Sequence, residues 1–214
     1  MNRLTLQKNQ KPIEEIVLMK RKACEVTDPE VMEKILSEAT IGRLATTDSG
    51  GYPYITPVNF VSHNGNIYFH CALTGEKLDN IARNAKVGFQ VDIPLAYLDS
   101  QFSDDGSPCK LHQFYHCVIM RGTARVINDS QLKTDVLNAL VEKHEKNRSI
   151  KKVHQDMPDY KTCAVVEIHP EQVSAKSDLA QGKSENVRAE VANYLKQRCW
   201  PGDLDTIQEM GFKP

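Results

Sequence analysis

The sequence carries little that names a chemistry. Across 214 residues aromatic side chains make up only 7%, there is a single tryptophan, and charge balances to a formal net of −1. A nucleic-acid-binding chain would ordinarily show a basic excess, so no nucleic-acid partner is expected. No apolar run approaches the ~20 residues of a membrane helix, and the N-terminal segment lacks the apolar stretch of a secretory signal. The expectation is a cytoplasmic protein without a membrane partner. The six cysteines, at 24, 71, 109, 117, 163 and 199, show no C-x-x-C and no regular spacing, which fits free thiols better than a disulfide framework. There is no G-x-S-x-G elbow, no Walker A and no G-x-G-x-x-G, which removes the common serine-hydrolase, P-loop and Rossmann readings. Internal repeats and low-complexity tracts are also missing.

What is present is an apolar fraction of 40% beside 26% charged residues, enough for a real core. At ~150 residues per domain the length suits one domain with extensions. Residues 1–26 are polar and mixed in charge and read as an N-terminal extension. Thr27-Asp28-Pro29-Glu30 then supplies an N-cap, an early proline and a first-turn acid, and Val31, Ile35, Leu36 and Ala39 share one face, so a helix is predicted over about 28–39. The pattern next changes to strands at 41–47, 52–62 and 66–71, with Asn64-Gly65 as a type I′ turn. Pro53 and Pro57 cannot donate to a ladder, which makes the second of these an edge or irregular strand.

A short helix opens at Thr74-Gly75-Glu76-Lys77 and ends at Arg83-Asn84. A strand follows at 87–91, then a connection over 93–112 read as loop. A long strand at 114–127, bent at Gly122, leads to a helix capped by Asp129 that frays near Asn147-Arg148. The last core strand is read at 162–168, closed by His169-Pro170. Residues 176–214 are read as a C-terminal extension, helical around 186–198 and loop-like after that. About six strands joined mostly by hairpins, with three or four helices, predict an antiparallel barrel carrying helices outside, not a parallel sheet.

Several residue sets invite a chemical reading. Cys109-x-x-His112-x-x-x-His116-Cys117 has the look of a zinc cluster. On an extended strand, however, His112 and His116 lie roughly 13 Å apart, so no metal is expected. Scattered Ser, Cys, His and Asp could form a hydrolase constellation, but no motif orders them. The basic residues Lys143, Lys146, Arg148, Lys151 and Lys152 are interrupted by Glu142 and Glu145 and read as a solvated helix face. At Thr74-Gly75-Glu76-Lys77 a strand gives way to a helix. Free N–H groups and the positive end of the helix dipole favour an anion there, and Lys77 adds a mobile cation.

One longer pattern subsumes these fragments. I-G-R-L-A-T from Ile41, G-Y-P-Y-I-T-P-V-N-F to Phe60, N-G-N-I-Y-F-H to His70 and T-G-E-K-L-D-N-I from Thr74 stand in fixed order. That order resembles the flavin-binding split-barrel family related to pyridoxamine 5′-phosphate oxidase, and within it the nitroimidazole-resistance (Nim-like) branch. The likeness covers roughly residues 20–170, inside a domain taken as 27–175. It implies a mainly β fold, a six-stranded antiparallel split β-barrel with flanking helices. It further implies a homodimer with FMN at the subunit interface, FAD and haem being the alternatives, and reduction of a small electron-poor acceptor such as a nitroimidazole. Carried over by position, Thr56, Pro57, Val58 and Asn59 would line the ring and ribityl region. Phe69, His70 and Cys71 would contact the same flavin, with His70 either catalytic or lining the pocket. Gly75 and Lys77 would hold the phosphate. The strand around Val118 would approach from the other subunit. Cys117 stands where the Nim-like branch often has serine. The arginine-containing C-terminal motif of pyridoxamine-phosphate oxidase itself has no counterpart in C-W-P-G-D-L-D-T-I-Q-E-M-G-F-K-P, which disfavours vitamin B6 oxidation. A flavin- or haem-binding storage or sensor module without turnover, with His70, His112 and His116 as axial-ligand candidates, is the alternative reading.

Overall fold

The structure is a computed structural model and describes residues 20–103, 107–145 and 149–214. Most of the N-terminal extension and the fraying expected near Asn147-Arg148 fall outside the described residues.

Seven strands and five α-helices are present among the described residues: β1 (Glu25–Val26), α1 (Pro29–Glu38), β2 (Ile41–Thr47), β3 (Pro53–His63), β4 (Asn66–Ala72), α2 (Glu76–Arg83), β5 (Lys86–Leu98), β6 (His112–Val126), α3 (Ser130–His144), β7 (Cys163–Asp178), α4 (Glu185–Arg198) and α5 (Asp203–Glu209). All pairings are antiparallel, in the order β1-β7-β4-β3-β2-β5-β6. A further ladder from Tyr115↔Asp178 to Val126↔Val166 joins β6 to β7. Six strands thus close on themselves as the expected barrel, and β1 is a two-residue addition on β7.

Local signals act as the sequence implies. Asp28 accepts from the Glu30 N–H at 2.9 Å and Pro29 starts α1. Asp129 accepts from the N–H groups of Gln131 and Leu132. Asn64 and Gly65 both take left-handed φ, 51° and 78°, the pair that a type I′ hairpin needs. Period-2 alternation fills the barrel: Leu44, Phe60, Phe69, Phe89, Val91, Val118 and Met120 pack inside. The Phe60 and Phe89 rings meet edge to face with centroids 5.1 Å apart. Each large apolar side chain buried here contributes about 1.5–3 kcal/mol. Ile35, Leu36 and Ala39 of α1 join this core. Helix α3 buries Val136, Leu137 and Leu140 against Val61, Tyr68 and Val165.

Three expectations about element limits are corrected. The strand read at 87–91 runs on to Leu98 because a register shift between Pro94 and Tyr97 lets the ladder with β6 step past the proline. The strand read as ending at His169-Pro170 continues to Asp178. Its register with β6 jumps between Arg121 and Gly122, which sets Gly122 opposite Pro170 and leaves an extra residue on β7. The tail read as loop-like contains α5, only seven residues long. With Asp203, Thr206 and Ile207 its inward side chains, two of them polar, it is too short to show a helical period. Together α4 and α5 form a second core in which Leu195, Ile207 and Met210 meet Leu98 and Phe114. No described helix is long and apolar enough to cross a membrane.

Candidate functional site

The barrel is open between β3 and β4. Residues 53–59 of β3 pair with β2 along the full ladder from Ile41↔Asn59 to Thr47↔Pro53. The β3–β4 ladder runs only from Phe60↔Phe69 to His63↔Asn66. Beyond Phe69, β4 turns to β7 alone, with His70↔Val165, Cys71↔Ala164 and Ala72↔Cys163. The two strands diverge, and each leaves an edge whose backbone donors and acceptors call for some other partner. Pro53 and Pro57 lie on this one-sided stretch, where a missing N–H costs the sheet least. On the core-facing side Val58 is buried, and the Thr56 Oγ1 atom is buried without a hydrogen-bond partner. Pro57 and Asn59 face outward and are exposed.

The chain leaves β4 through Leu73 and Thr74 and enters α2 at the mouth of this opening. Gly75 is the N-cap with φ 137°, a conformation that side chains rarely tolerate. It offers no side-chain cap. The Leu78 and Asp79 N–H groups already return to the Gly75 carbonyl at 2.9 and 3.2 Å, so the N–H groups of Glu76 and Lys77 precede the helix's own ladder. At its other end α2 is latched to β2. Asn80, 1% exposed, donates to Thr46 Oγ1 at 3.0 Å, and Arg83 donates to the Thr47 carbonyl at 3.4 Å. The helix thus bridges from the end of β4 to the end of β2. Burial pushes the Cys71 thiol pKa up, while the Lys77 charge pulls it down.

The family model described as pyridoxamine 5′-phosphate oxidase matches residues 28–177, most of the chain. The chain belongs to the pyridoxamine 5′-phosphate oxidase family. Solved structures agree on the fold. A candidate 5-nitroimidazole antibiotic resistance protein of Bacteroides thetaiotaomicron is similar at TM-score 0.60 and 21% identity, over 72% of this chain and 86% of that one. The flavocytochrome Anf3 of Azotobacter vinelandii gives 0.62 and 18%, over 75% and 72%. An FAD- and haem-binding protein of Mycobacterium smegmatis gives 0.63 and 15%, over 77% and 78%. At these identities the likeness shows a shared split-barrel architecture. No curated protein matches.

In this member of the pyridoxamine 5′-phosphate oxidase family, one chain brings Thr56, Pro57, Val58, Asn59, His70, Cys71, Gly75 and Lys77 to the opening. Phe69 is there by its backbone only, since its side chain is fully buried in the core. His70 is exposed and Cys71 half-buried. Cys117 is elsewhere. It lies on β6, which borders neither edge of the opening: three strands from β3 through β2 and β5, and two from β4 through β7. Val118 points into the core at 1% exposure.

Cys117 belongs to a polar row on the outer wall that sequence reasoning missed. Gln90 Nε2 is 3.7 Å from its sulfur and donates to Asp92 at 2.8 Å. Arg43 also contacts Asp92, and Lys176 donates to the Tyr115 hydroxyl at 2.7 Å. Burial raises the Cys117 pKa, an effect that the Gln90 hydrogen bond opposes. The alternation of I-G-R-L-A-T around inward Leu44 is the signal that would have set Arg43 on this face. The two histidines of the zinc-like motif are held separately. His112 Nε2 lies 3.1 Å from Asp178, while His116 is buried with Nδ1 2.7 Å from Ser177 Oγ and Nε2 3.5 Å from Glu209. Among the described residues no group of three or more His, Cys, Asp or Glu side chains is placed to hold a metal.

Proposed function

We propose that this protein binds FMN in the opening between β3 and β4 and is a flavin-dependent oxidoreductase of the nitroimidazole-resistance type, acting on a small, flat, electron-poor acceptor. The observation that carries this reading is the convergence, at one opening, of an unpaired strand edge with the orphaned Thr56 Oγ1 and an uncapped helix N-terminus beside Lys77. A flavin has a polar ring edge and a distant phosphate, and these two features match those two donor sets. The fold neighbours, a nitroimidazole-resistance candidate, a flavocytochrome and an FAD- and haem-binding protein, support the same chemistry.

Bound FMN would supply electron transfer between a reduced donor and the acceptor, chemistry that side chains lack. The chain's own part is binding and orientation. The 53–59 edge and Thr56 would meet the ring, and the Glu76 and Lys77 N–H groups with the Lys77 ammonium would hold the phosphate. His70, which is exposed, would orient the acceptor or hand it a proton. Cys117 stands on the outer wall, on a strand that borders neither edge of the opening. Its role at the flavin therefore depends on a second copy presenting the outer wall, on which Ile119 and Val173 stand 47% and 44% exposed. We accordingly propose a homodimer.

Titration of the purified protein with FMN, followed by quenching of flavin fluorescence, tests this reading. Lys77→Ala removes one charge-assisted hydrogen bond and is expected to raise Kd about 10- to 100-fold. An unchanged Kd would remove Lys77 from the phosphate site. Retention of haem with a Soret band, and no uptake of FMN, would replace the oxidoreductase reading by that of a haem module.

A further inference from the structure

Lys143 was read as part of a solvated basic face, yet its amine is drawn into the protein. Nζ donates to the carbonyl of Leu36, in the last turn of α1, at 2.8 Å, and lies 3.5 Å from the centre of the Phe60 ring. The same side chain lines a surface cavity of about 350 Å³, together with Glu33, Ser37, Ser62, Ala139 and Glu142. Within that lining the Ser62 hydroxyl donates to Glu33 Oε2 at 2.9 Å. An amine, a carboxylate and a hydroxyl therefore share one cavity that the flavin reading leaves unused. We propose that Lys143 is a nucleophilic lysine that takes a small aldehyde as an imine in this cavity, with Glu33 as the proton acceptor.

The physical basis is the placement of the amine. Packing against Phe60 and α1 strips water from it and brings its pKa down to about 8, with Glu33 pulling in the opposite direction. At pH 7 roughly a tenth of Lys143 is then free amine, against about 0.04% of an ordinary lysine of pKa ~10.4. The facing charges are Glu33 on α1 and Glu142 on α3 itself. His144 is turned to the Phe60 carbonyl at 3.1 Å. The Leu36 carbonyl holds one N–H and so orients the amine.

In the proposed step the Nζ lone pair forms a bond to the aldehyde carbon while the carbonyl π pair moves to oxygen. The surplus proton on nitrogen passes to Glu33, and the Ser62 hydroxyl can hand the oxygen its proton and recover one from Glu33. The second proton on nitrogen follows the same route through Glu33 and Ser62 to that hydroxyl, which leaves as water as the nitrogen lone pair closes the C=N bond. Amine plus aldehyde gives imine plus water, with no change in oxidation state.

The test uses the full chain with glyceraldehyde and cyanoborohydride, which fixes any imine as a secondary amine, followed by peptide mapping. Lys143 is expected to be labelled at least tenfold faster at pH 7 than exposed Lys86, with a rate that levels off above a midpoint near pH 8. Glu33→Gln is expected to slow Lys143 about tenfold at pH 9, where most of the amine is free. Labelling no faster than Lys86, or a rate still climbing at pH 10, would make Lys143 a clamp between α3 and α1 and overturn the proposal. An unchanged Lys143 rate in Glu33→Gln would overturn the part given to Glu33.

Discussion

Arg198→Ala is expected to lower the melting temperature by roughly 6–20 °C. Arg198 ends α4 and ties the C-terminal helices to the barrel. Its Nε and Nη2 donate to the two carboxylate oxygens of Asp203 at 3.0 and 2.6 Å. Its Nη1 donates to Asp99 at 2.6 Å and to the Tyr97 carbonyl at 2.9 Å. The guanidinium also lies 4.3 Å from the centre of the Trp200 ring. Asp203 is fully buried, and after the substitution it keeps the Trp200 N–H, a donor at 2.8 Å. Leaving a buried carboxylate without its cation costs about 3–5 kcal/mol, and in a chain of this size each kcal/mol moves Tm by about 2–4 °C. Arg198→Lys keeps the charge but cannot serve Asp203 and Asp99 with the same fork, so a fall between wild type and alanine is expected. Thermal denaturation followed by circular dichroism measures both.

Gly122→Ala comes second, with an expected loss of about 3 kcal/mol, near the upper end of ordinary overpacking. A Cβ on Gly122 would stand 2.0 Å from the His169 carbonyl oxygen and 3.0 Å from Pro170 Cα. These are backbone atoms of β7 at the place where the β6–β7 register shifts, so no side-chain rotation relieves the clash. The ladder that closes the barrel has to part at its bulge. Urea denaturation is expected to show a lower midpoint. A midpoint equal to wild type would mean that β7 does not cross Gly122 as closely as described.

The elements legible in the sequence are those whose determinants sit within a few residues of one another. Asp28-Pro29, Asn64-Gly65 and Asp129 each specify their own cap or turn, and the β2–β3–β4 meander follows from them. The positions at the barrel opening were legible for the same reason: 56–59, 70–71 and 75–77 flank one hairpin and the helix after it. What was not legible depends on distant partners. Pro94 and Pro170 look like strand ends, yet each strand bulges there and goes on pairing with β6. The Asn80–Thr46 latch joins residues 34 positions apart, and nothing local in α2 announces it. Lys143 reads as a surface lysine because its burial comes from Phe60 and α1, both remote in the chain. Phe69 alternates correctly within its strand, yet that same alternation turns its ring into the core and away from the opening.

The most direct measurement pairs FMN titration with alkylation of Cys71 by iodoacetamide, read by peptide mass spectrometry. Cys71 is half-buried at the opening with Lys77, whereas Cys109 and Cys199 are exposed elsewhere. A flavin held between β3 and β4 is expected to bind once per chain and to slow Cys71 alkylation at least tenfold, with Cys109 and Cys199 unchanged. FMN that does not bind, or that binds and leaves the Cys71 rate where it was, would contradict a flavin site at this opening.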